Sequence, residues 1–368
     1  MNELKHVQFK YINLDDPFFD SLKKSYAEFT HWFNKKAEEY AYIFVRNDEQ
    51  QEQIDGFLYL KREPKSIHET NPPLVADGME WLKIGTFKIN AHGTKLGERF
   101  IKKIFDTAVT LNIKDIYVTI FSEHKHLIQL FEKYGFAIEA KKDSDNGTEL
   151  VLCRRISRFS NDVENLLKDY PRINFAYKNY KPQIYLISIY PQWHTRLLPD
   201  SILKNEKASI LQDISPTNSI HKVFLCNMRD VDRLRKGDIL FIYRTKTDNR
   251  PARYTAVVTS IAVVEEYRNI YSFENRDEFI KYCSPYSIFT RKELEVYWLT
   301  HKFPHIIRFT YNVALPKRVI RDSLIKDVGL LENRYWGFMP ITQSEAQKIM
   351  QLGGLNYEGS DVYKTGIR

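Results

Sequence analysis

Cysteine is scarce in this chain: three in 368 residues, Cys153, Cys226 and Cys283. Their odd number and wide spacing exclude a disulfide framework and a Cys-based metal site, and they point to buried thiols in a reducing compartment. Long apolar runs are missing too. None approaches the roughly 20 residues that cross a bilayer, and the opening MNELKHVQFKY has no signal-like apolar core. Internal repeats and low-complexity tracts are absent. No His, Asp and Glu residues recur at metal-ligand spacing, and no Ser, His and Asp set suggests a hydrolase triad. The expectation is a cytoplasmic protein without a metal.

What is present suits two globular domains. Hydrophobic residues make up 43% and charged residues 28%, well away from a disordered composition. The length allows two ordinary cores. Charge is unevenly placed: residues 1–150 hold 21 Lys/Arg against 24 Asp/Glu, a net of −3, and residues 151–368 hold 34 against 23, a net of +11. A basic half of that kind suits a polyanionic partner such as RNA or DNA, or is simply a solvated basic surface.

The most informative stretch is Trp81 to Thr110. Leu82, Ile84 and Phe87 alternate as in a strand. A polar turn containing Gly93 follows, and then Leu96, Phe100, Ile101, Ile104, Phe105 and Ala108 recur at helical spacing. Strand, glycine turn and helix can present backbone N–H groups to a phosphate, although many such turns use glycine only to turn. Asp115 to Phe121 reads as a second strand. Glu123 to Tyr134 reads as a helix ended by Gly135, and Phe136 opens another strand.

On these residues the first 155 or so positions resemble the GNAT acetyltransferases. His92-Gly93-Thr94-Lys95-Leu96-Gly97 is similar to the family's acetyl-CoA motif, and Leu130-Phe131-Glu132-Lys133-Tyr134-Gly135-Phe136 to its second block. The resemblance implies acetyl-CoA as acyl donor. Its thioester arm would lie on backbone groups of Phe87, Lys88 and Ile89, and its pyrophosphate on the turn and helix start, His92, Gly93, Thr94, Lys95, Leu96, Gly97 and Glu98. Three positions depart from the pattern. His92 replaces Arg/Gln, Lys95 replaces the first motif glycine, and Phe131 replaces the tyrosine that protonates the thiolate. Candidate acids and bases are therefore Glu123, His124 and Tyr134, each of which also has an ordinary role: helix-end carboxylate, helix cap or packed ring.

Taken in order, the first half reads as a strand at Phe9–Leu14 and a helix start at Pro17. Strands follow at Tyr40–Arg46 and Ile54–Lys61, with a loop from Pro64 to Gly78, a central strand at Glu80–Ile89 and a closing strand at Gly147–Arg155. That is an α/β sandwich with a mixed sheet. The expected GNAT-like domain covers 1–157, with a connector at 158–182, a second domain at 183–352 and a tail at 353–368.

The second domain reads as many strands and few helices, with a Lys236-Gly237-Asp238 turn before the strand Ile239–Arg244. That turn and strand, the following strand at Ala256–Val264 and Tyr335-Trp336-Gly337-Phe338 resemble the PUA-like superfamily, ASCH and EVE domains included. The resemblance implies a mainly β barrel with helical additions that binds RNA or DNA. Trp193, His194, Arg196, Tyr243, Arg244 and Trp336, with Trp298 beside them, are the residues that could stack a base and hold its phosphate, although each aromatic alone is more often core. The leading expectation is an acyl-CoA-dependent N-acetyltransferase directed to a nucleic acid or an associated protein. A degenerate GNAT fold serving as a binding or regulatory module, and a barrel that is only an interaction scaffold, are the alternatives.

Overall fold

The structure, a computed structural model, describes residues 3–48, 51–90, 95–199, 219–247, 250–358 and 361–364. The chain divides into two compact units that meet in sequence at Phe159 and Ser160.

The first unit is one seven-stranded sheet. Its strands are β1 (Glu3–Gln8), β2 (Tyr40–Asp48), β3 (Gln51–Ile67), β4 (Leu74–Ile89), β5 (Asp115–Phe121), β6 (Ala137–Ser144) and β7 (Gly147–Arg155), in the order β1-β2-β3-β4-β5-β7-β6. Only β4 and β5 run parallel, because only they are joined by a helix long enough to cross over. Four helices are placed between the strands: α1 (Asp20–Ser25), α2 (Phe29–Lys35), α3 (Leu96–Leu111) and α4 (Lys125–Lys133). The helix expected to start at Pro17 is a tight turn, Pro17–Phe19, followed by the short helices α1 and α2. Phe18, Phe19, Phe29 and Phe33 pack with Phe9, Phe57 and Tyr59 on one face of the sheet. On the opposite face α3 buries the expected stripe from Leu96 to Ala108. The α/β class and the element order expected for this half are observed.

Two local expectations differ. Residues 9–11 form a tight helical turn and the first strand lies just before it. Pro64 to Gly78 is mostly strand: β3 runs on to Ile67 and β4 begins at Leu74, leaving only 68–73 as the turn. Pro64 is tolerated because the ladder shifts register between Pro64 and Ser66, where a missing N–H costs little. Ile67, Leu74 and Ala76 in this long hairpin then bury Trp81, Tyr117, Val151 and Cys153. Arg155 ties the hairpin down, bonding Asp77 (3.2 Å), Asp115 (3.3 Å) and Glu139 (2.7 Å).

The second unit holds a six-stranded sheet. Its strands are β8 (Ile184–Ile189), β9 (His221–Cys226), β10 (Ile239–Arg244), β11 (Val257–Asn269), β12 (His305–Ile320) and β13 (Phe338–Pro340), ordered β13-β8-β10-β11-β12-β9. No closing pair joins β13 to β9 among the described residues, so the expected closed barrel is an open, bulged sheet. Alternate residues face two cores. Ile187, Leu240, Ile242 and Val264 lie in one, and Leu186, Ile239, Phe241 and Val263 in the other. A strand buried on both faces reads as an unbroken apolar run, as ILFIY at 239–243 does. The expected connector at 158–182 contributes Leu166, Ile173, Phe175 and Tyr177 to the second of these cores. Within the expected tail, 353–368, Leu355 is buried and opens a short hairpin of β14 (Leu355–Glu358) and β15 (Asp361–Lys364). All three cysteines are free and buried, and burial pushes the Cys226 thiol up to about 12. Among the described residues no helix is long and apolar enough to cross a membrane.

Candidate active site

β4 and β5 pair over only four positions, Trp81–Ile84 with Asp115–Val118. Beyond them β4 runs on for Gly85–Ile89 and β5 for Thr119–Phe121 without pairing to each other, so the sheet opens in its middle. A bulge marks the divergence. Tyr59 pairs with Thr86 and Leu60 with Ile84, leaving Gly85 as the extra residue. A Cβ at Gly85 would lie 2.6 Å from the Tyr59 ring, so only glycine lets that ring sit against the bulge. Asn90 N–H bonds the Asp55 carbonyl at 2.8 Å. Counting back along an antiparallel ladder, Lys88 and Thr86 also point their backbone groups at β3, and Phe87 and Ile89 point theirs into the gap. Two of the three residues expected to hold a thioester arm therefore face the opening. Lys88 does not: its backbone faces β3, and its ammonium bonds the Phe18 carbonyl and Ser21 Oγ (2.5 Å).

The N-terminus of α3 follows directly. Its first N–H groups, on Leu96, Gly97 and Glu98, have no acceptor within the helix, and the helix dipole favours an anion there. His92, Gly93 and Thr94 lie outside the described residues. Lys95 is exposed and left-handed, φ 55° and ψ 27°, the backbone shape that a glycine would adopt freely. Gly97 serves packing: a Cβ there would lie 2.8 Å from Leu130 and 3.3 Å from Ile89. Gly97 thus lets α3, α4 and the end of β4 approach closely. The buried Glu98 carboxylate pairs with Lys133 at 2.6 Å.

The three candidate acids and bases are not brought together. Glu123 and His124 are exposed just before α4, beside the open end of β5. Tyr134 is fully buried past the other end of that helix, about 13 Å further along its axis. Phe131 is fully buried as well, with ring centroids 5.3 Å from Phe87 and 4.9 Å from Phe136.

The opposite face of the gap carries groups that no local motif announces. Tyr26, between α1 and α2, lies 5.7 Å from the Phe121 ring and donates to Glu149 at 3.2 Å. Burial, then Glu149, raises the Tyr26 hydroxyl above its ordinary range. Tyr117 donates to Glu63 at 2.5 Å, and Tyr59 donates to Glu39. Lys83 lies 3.6 Å from Glu63, and its burial lowers the ammonium pKa. Phe121 pairs with Glu149 across β5 and β7, yet they are 28 residues apart in sequence. Only the fold joins them.

In the second unit the expected stacking residues are mostly interior. His194 is fully buried, 2.8 Å from Thr259 Oγ1. Burial, then Arg244 and Arg318, pushes its pKa down to about 3, so it stays neutral. Tyr243 packs 5.4 Å from Trp336, and both are buried, as is Arg244. Trp193 is half-buried against Phe289 (5.9 Å) and Phe303 (5.6 Å), and Arg196 donates to the Ile288 carbonyl at 2.7 Å. Trp298 packs on Phe279, ring centroids 5.6 Å apart, against the same core. Two of the six named residues do meet as rings, Tyr243 and Trp336, but they pack as core. No exposed aromatic platform forms from this set.

No family model and no curated protein matches the chain. Among solved structures it is similar to an IAA acetyltransferase from Bacillus cereus, with 12% identity over 42% of this chain and 98% of that one and a TM-score of 0.29. NAA60 of Arabidopsis thaliana in complex with acetyl-CoA is 13% identical over 43% and 100%, with a TM-score of 0.30. A mutant of ZmASCH from Zymomonas mobilis is 13% identical over 46% and 96%, with a TM-score of 0.30.

Lys95 yields a direct prediction. A left-handed non-glycine residue costs about 1 kcal/mol. Lys95→Gly should therefore raise unfolding stability by about 0.5–1 kcal/mol, read as a higher urea midpoint at unchanged slope. A lower midpoint would mean that the Lys95 side chain contributes more than its backbone costs.

Proposed function

We propose that the first unit is an acyl-CoA-dependent N-acyltransferase with acetyl-CoA as donor. One observation carries the reading. The backbone groups of Phe87 and Ile89 face a gap in the sheet, and the N-terminus of α3 begins a few residues later. An extended amide-bearing arm can add to β4 as a strand would, with its phosphates at the helix start. This fits the pantetheine and pyrophosphate of a CoA thioester. The bound donor supplies an activated acyl carbon. The chain supplies its orientation, a backbone donor for the carbonyl oxygen and an approach from the opposite face. Phe131 and the buried Tyr134 leave the thiolate without a side-chain proton donor at either position, so Glu123 and His124 stay as candidates at the mouth.

The variant that isolates this reading is Ile89→Pro, which removes one N–H facing the gap and spares the β3 ladder. Calorimetry should detect acetyl-CoA binding to the wild-type chain, weakened about tenfold in Ile89→Pro, the equivalent of one hydrogen bond of about 1.4 kcal/mol. Unchanged affinity in a folded variant would remove the arm from β4.

For the second unit we propose a PUA-like module that binds RNA or DNA by charge. The net of +11 over residues 151–368 supports it. The buried positions of His194, Tyr243, Arg244 and Trp336 argue against base stacking on them, so sequence preference should be weak. Binding of a single-stranded oligonucleotide by the whole chain should fall steeply between 50 and 200 mM salt, as counterion release requires (about 300-fold for six phosphate contacts on a single strand). Affinity independent of salt, or none at low salt, would leave the scaffold reading in its place.

A further inference from the structure

The second unit holds a cleft that acyl transfer and nucleic-acid binding both leave unused. It encloses about 640 Å³, within the range that small ligands fill. The fold brings its walls together from separate stretches. In the turn before β10, Gly237 N–H bonds the Val264 carbonyl and Val264 N–H bonds that of Asp238, both at 2.8 Å. The buried Asp238 carboxylate fixes the turn, accepting from the N–H groups of Gln183 and Arg235 at 2.8 Å each. Leu234, Arg235 and Lys236 thereby run beside Glu265, Glu266 and Tyr267 of β11. Leu166 and Leu167, from the short helix Leu166–Asp169, add an apolar wall, and Arg308 of β12 completes the lining.

The charges in this cleft balance. Arg235, Lys236 and Arg308 stand against Glu164, Glu265 and Glu266. Four of the six are already paired. Lys236 bonds Glu164. Arg308 lies 3.2 Å from Glu265, whose other oxygen is 2.5 Å from Nδ1 of the fully buried His221. Arg235 and Glu266 are the remaining two, and both are exposed. Arg235 Nη1 donates to the Asp232 and Leu234 carbonyls at 3.0 Å each. Among the described residues nothing accepts from its Nε–Nη2 edge, the edge that matches a carboxylate at two points. Tyr282 donates to Glu266 Oε2 at 2.8 Å, which leaves Oε1 to accept from a ligand. Burial, then Glu266, raises the Tyr282 hydroxyl above its ordinary range, so it stays a donor and holds the carboxylate in place.

We propose that this cleft binds a free α-amino acid with an apolar side chain. Its carboxylate lies on the Nε–Nη2 edge of Arg235, its ammonium on Glu266 Oε1, and its side chain against Leu166, Leu167 and Leu234. Arg235 and Glu266 stand on neighbouring stretches of backbone, as the two charges of an α-amino acid stand on neighbouring atoms. A zwitterion adds no net charge to a cleft whose own charges cancel. A phosphate would bring two negative charges toward Glu164, Glu265 and Glu266. This inference is independent of the acyl-transfer reading, whose site lies in the first unit.

The test uses the full chain and L-leucine, titrated by calorimetry. The single-charge controls are 4-methylpentanoate, which lacks the ammonium, and isopentylamine, which lacks the carboxylate. L-Leucine should bind, and each control should bind about tenfold more weakly or less. Arg235→Gln should remove the preference over isopentylamine, and Glu266→Gln the preference over 4-methylpentanoate, each at an unchanged thermal midpoint. That crossed pattern separates ligand contact from a structural role. Arg235→Lys, which keeps the charge and loses the two-point edge, should fall between wild type and Arg235→Gln. No binding of L-leucine at about 10 mM would overturn the proposal. So would equal affinity for L-leucine and either control, or wild-type preference in both Gln variants.

Discussion

The parallel pairing of β4 and β5 stops after four residue pairs, and the architecture of the first unit depends on that stop. A strand in the middle of a sheet normally spends its backbone groups on both neighbours. From Gly85 on, β4 has a neighbour on one side only. The bulge at Gly85 and the Tyr59 ring packed against it fix where the divergence begins. Behind the gap, Phe87, Phe100, Phe131 and Phe136 make edge-on ring contacts of 4.9–5.6 Å. That apolar floor holds the divergent ends apart without filling the opening. An opening of this kind must be satisfied by water or by a ligand with amide groups.

The two faces of the gap have opposite chemistry. On the α3 side a helix N-terminus favours an anion. On the side of α1 and α2, Tyr26, Tyr59 and Tyr117 each donate to a carboxylate. Two of those carboxylates also have lysines beside them: Lys36 with Glu39, and Lys61 and Lys83 with Glu63. At Glu63, burial opposes the charge, but Lys61, Tyr117 and Lys83 outweigh it and hold the carboxyl below its ordinary value. Glu149 sits nearest the mouth. The asymmetry favours an anion at the α3 end of the gap and a cation beside the carboxylates. The second unit spends its polar residues differently. His194, Thr259 and Arg318 are joined by bonds of 2.8 and 3.1 Å within the interior, where they organise the fold around β11.

Much of the skeleton was legible in the sequence. Asp115–Phe121, Gly147–Arg155 and Ile239–Arg244 end where alternation and turn residues say they should. The Pro64–Gly78 segment misled because proline and polar residues read as loop, and a ladder shift that tolerates proline leaves no local mark. The barrel misled because strand content does not encode closure. Site residues divide the same way. Phe87 and Ile89 could be found from a strand that ends at a glycine turn. The pairing of Tyr26 with Glu149 could not, since it joins positions 123 apart. Tyr134 and His194 show the converse error: a reactive side chain in a suggestive local setting proves to be core, because burial is decided by partners far away in sequence.

The central claim is that β4 offers its Phe87 and Ile89 backbone groups to a CoA thioester. Amide hydrogen exchange of the whole chain, with and without acetyl-CoA, tests it most directly. Both N–H groups face the gap and should exchange quickly in the free protein. On addition of acetyl-CoA they should slow together with the first N–H groups of α3, while Thr86 and Lys88, already bonded to β3, change little. Slowing confined to other strands, or equal changes at all four positions of β4, would contradict the account.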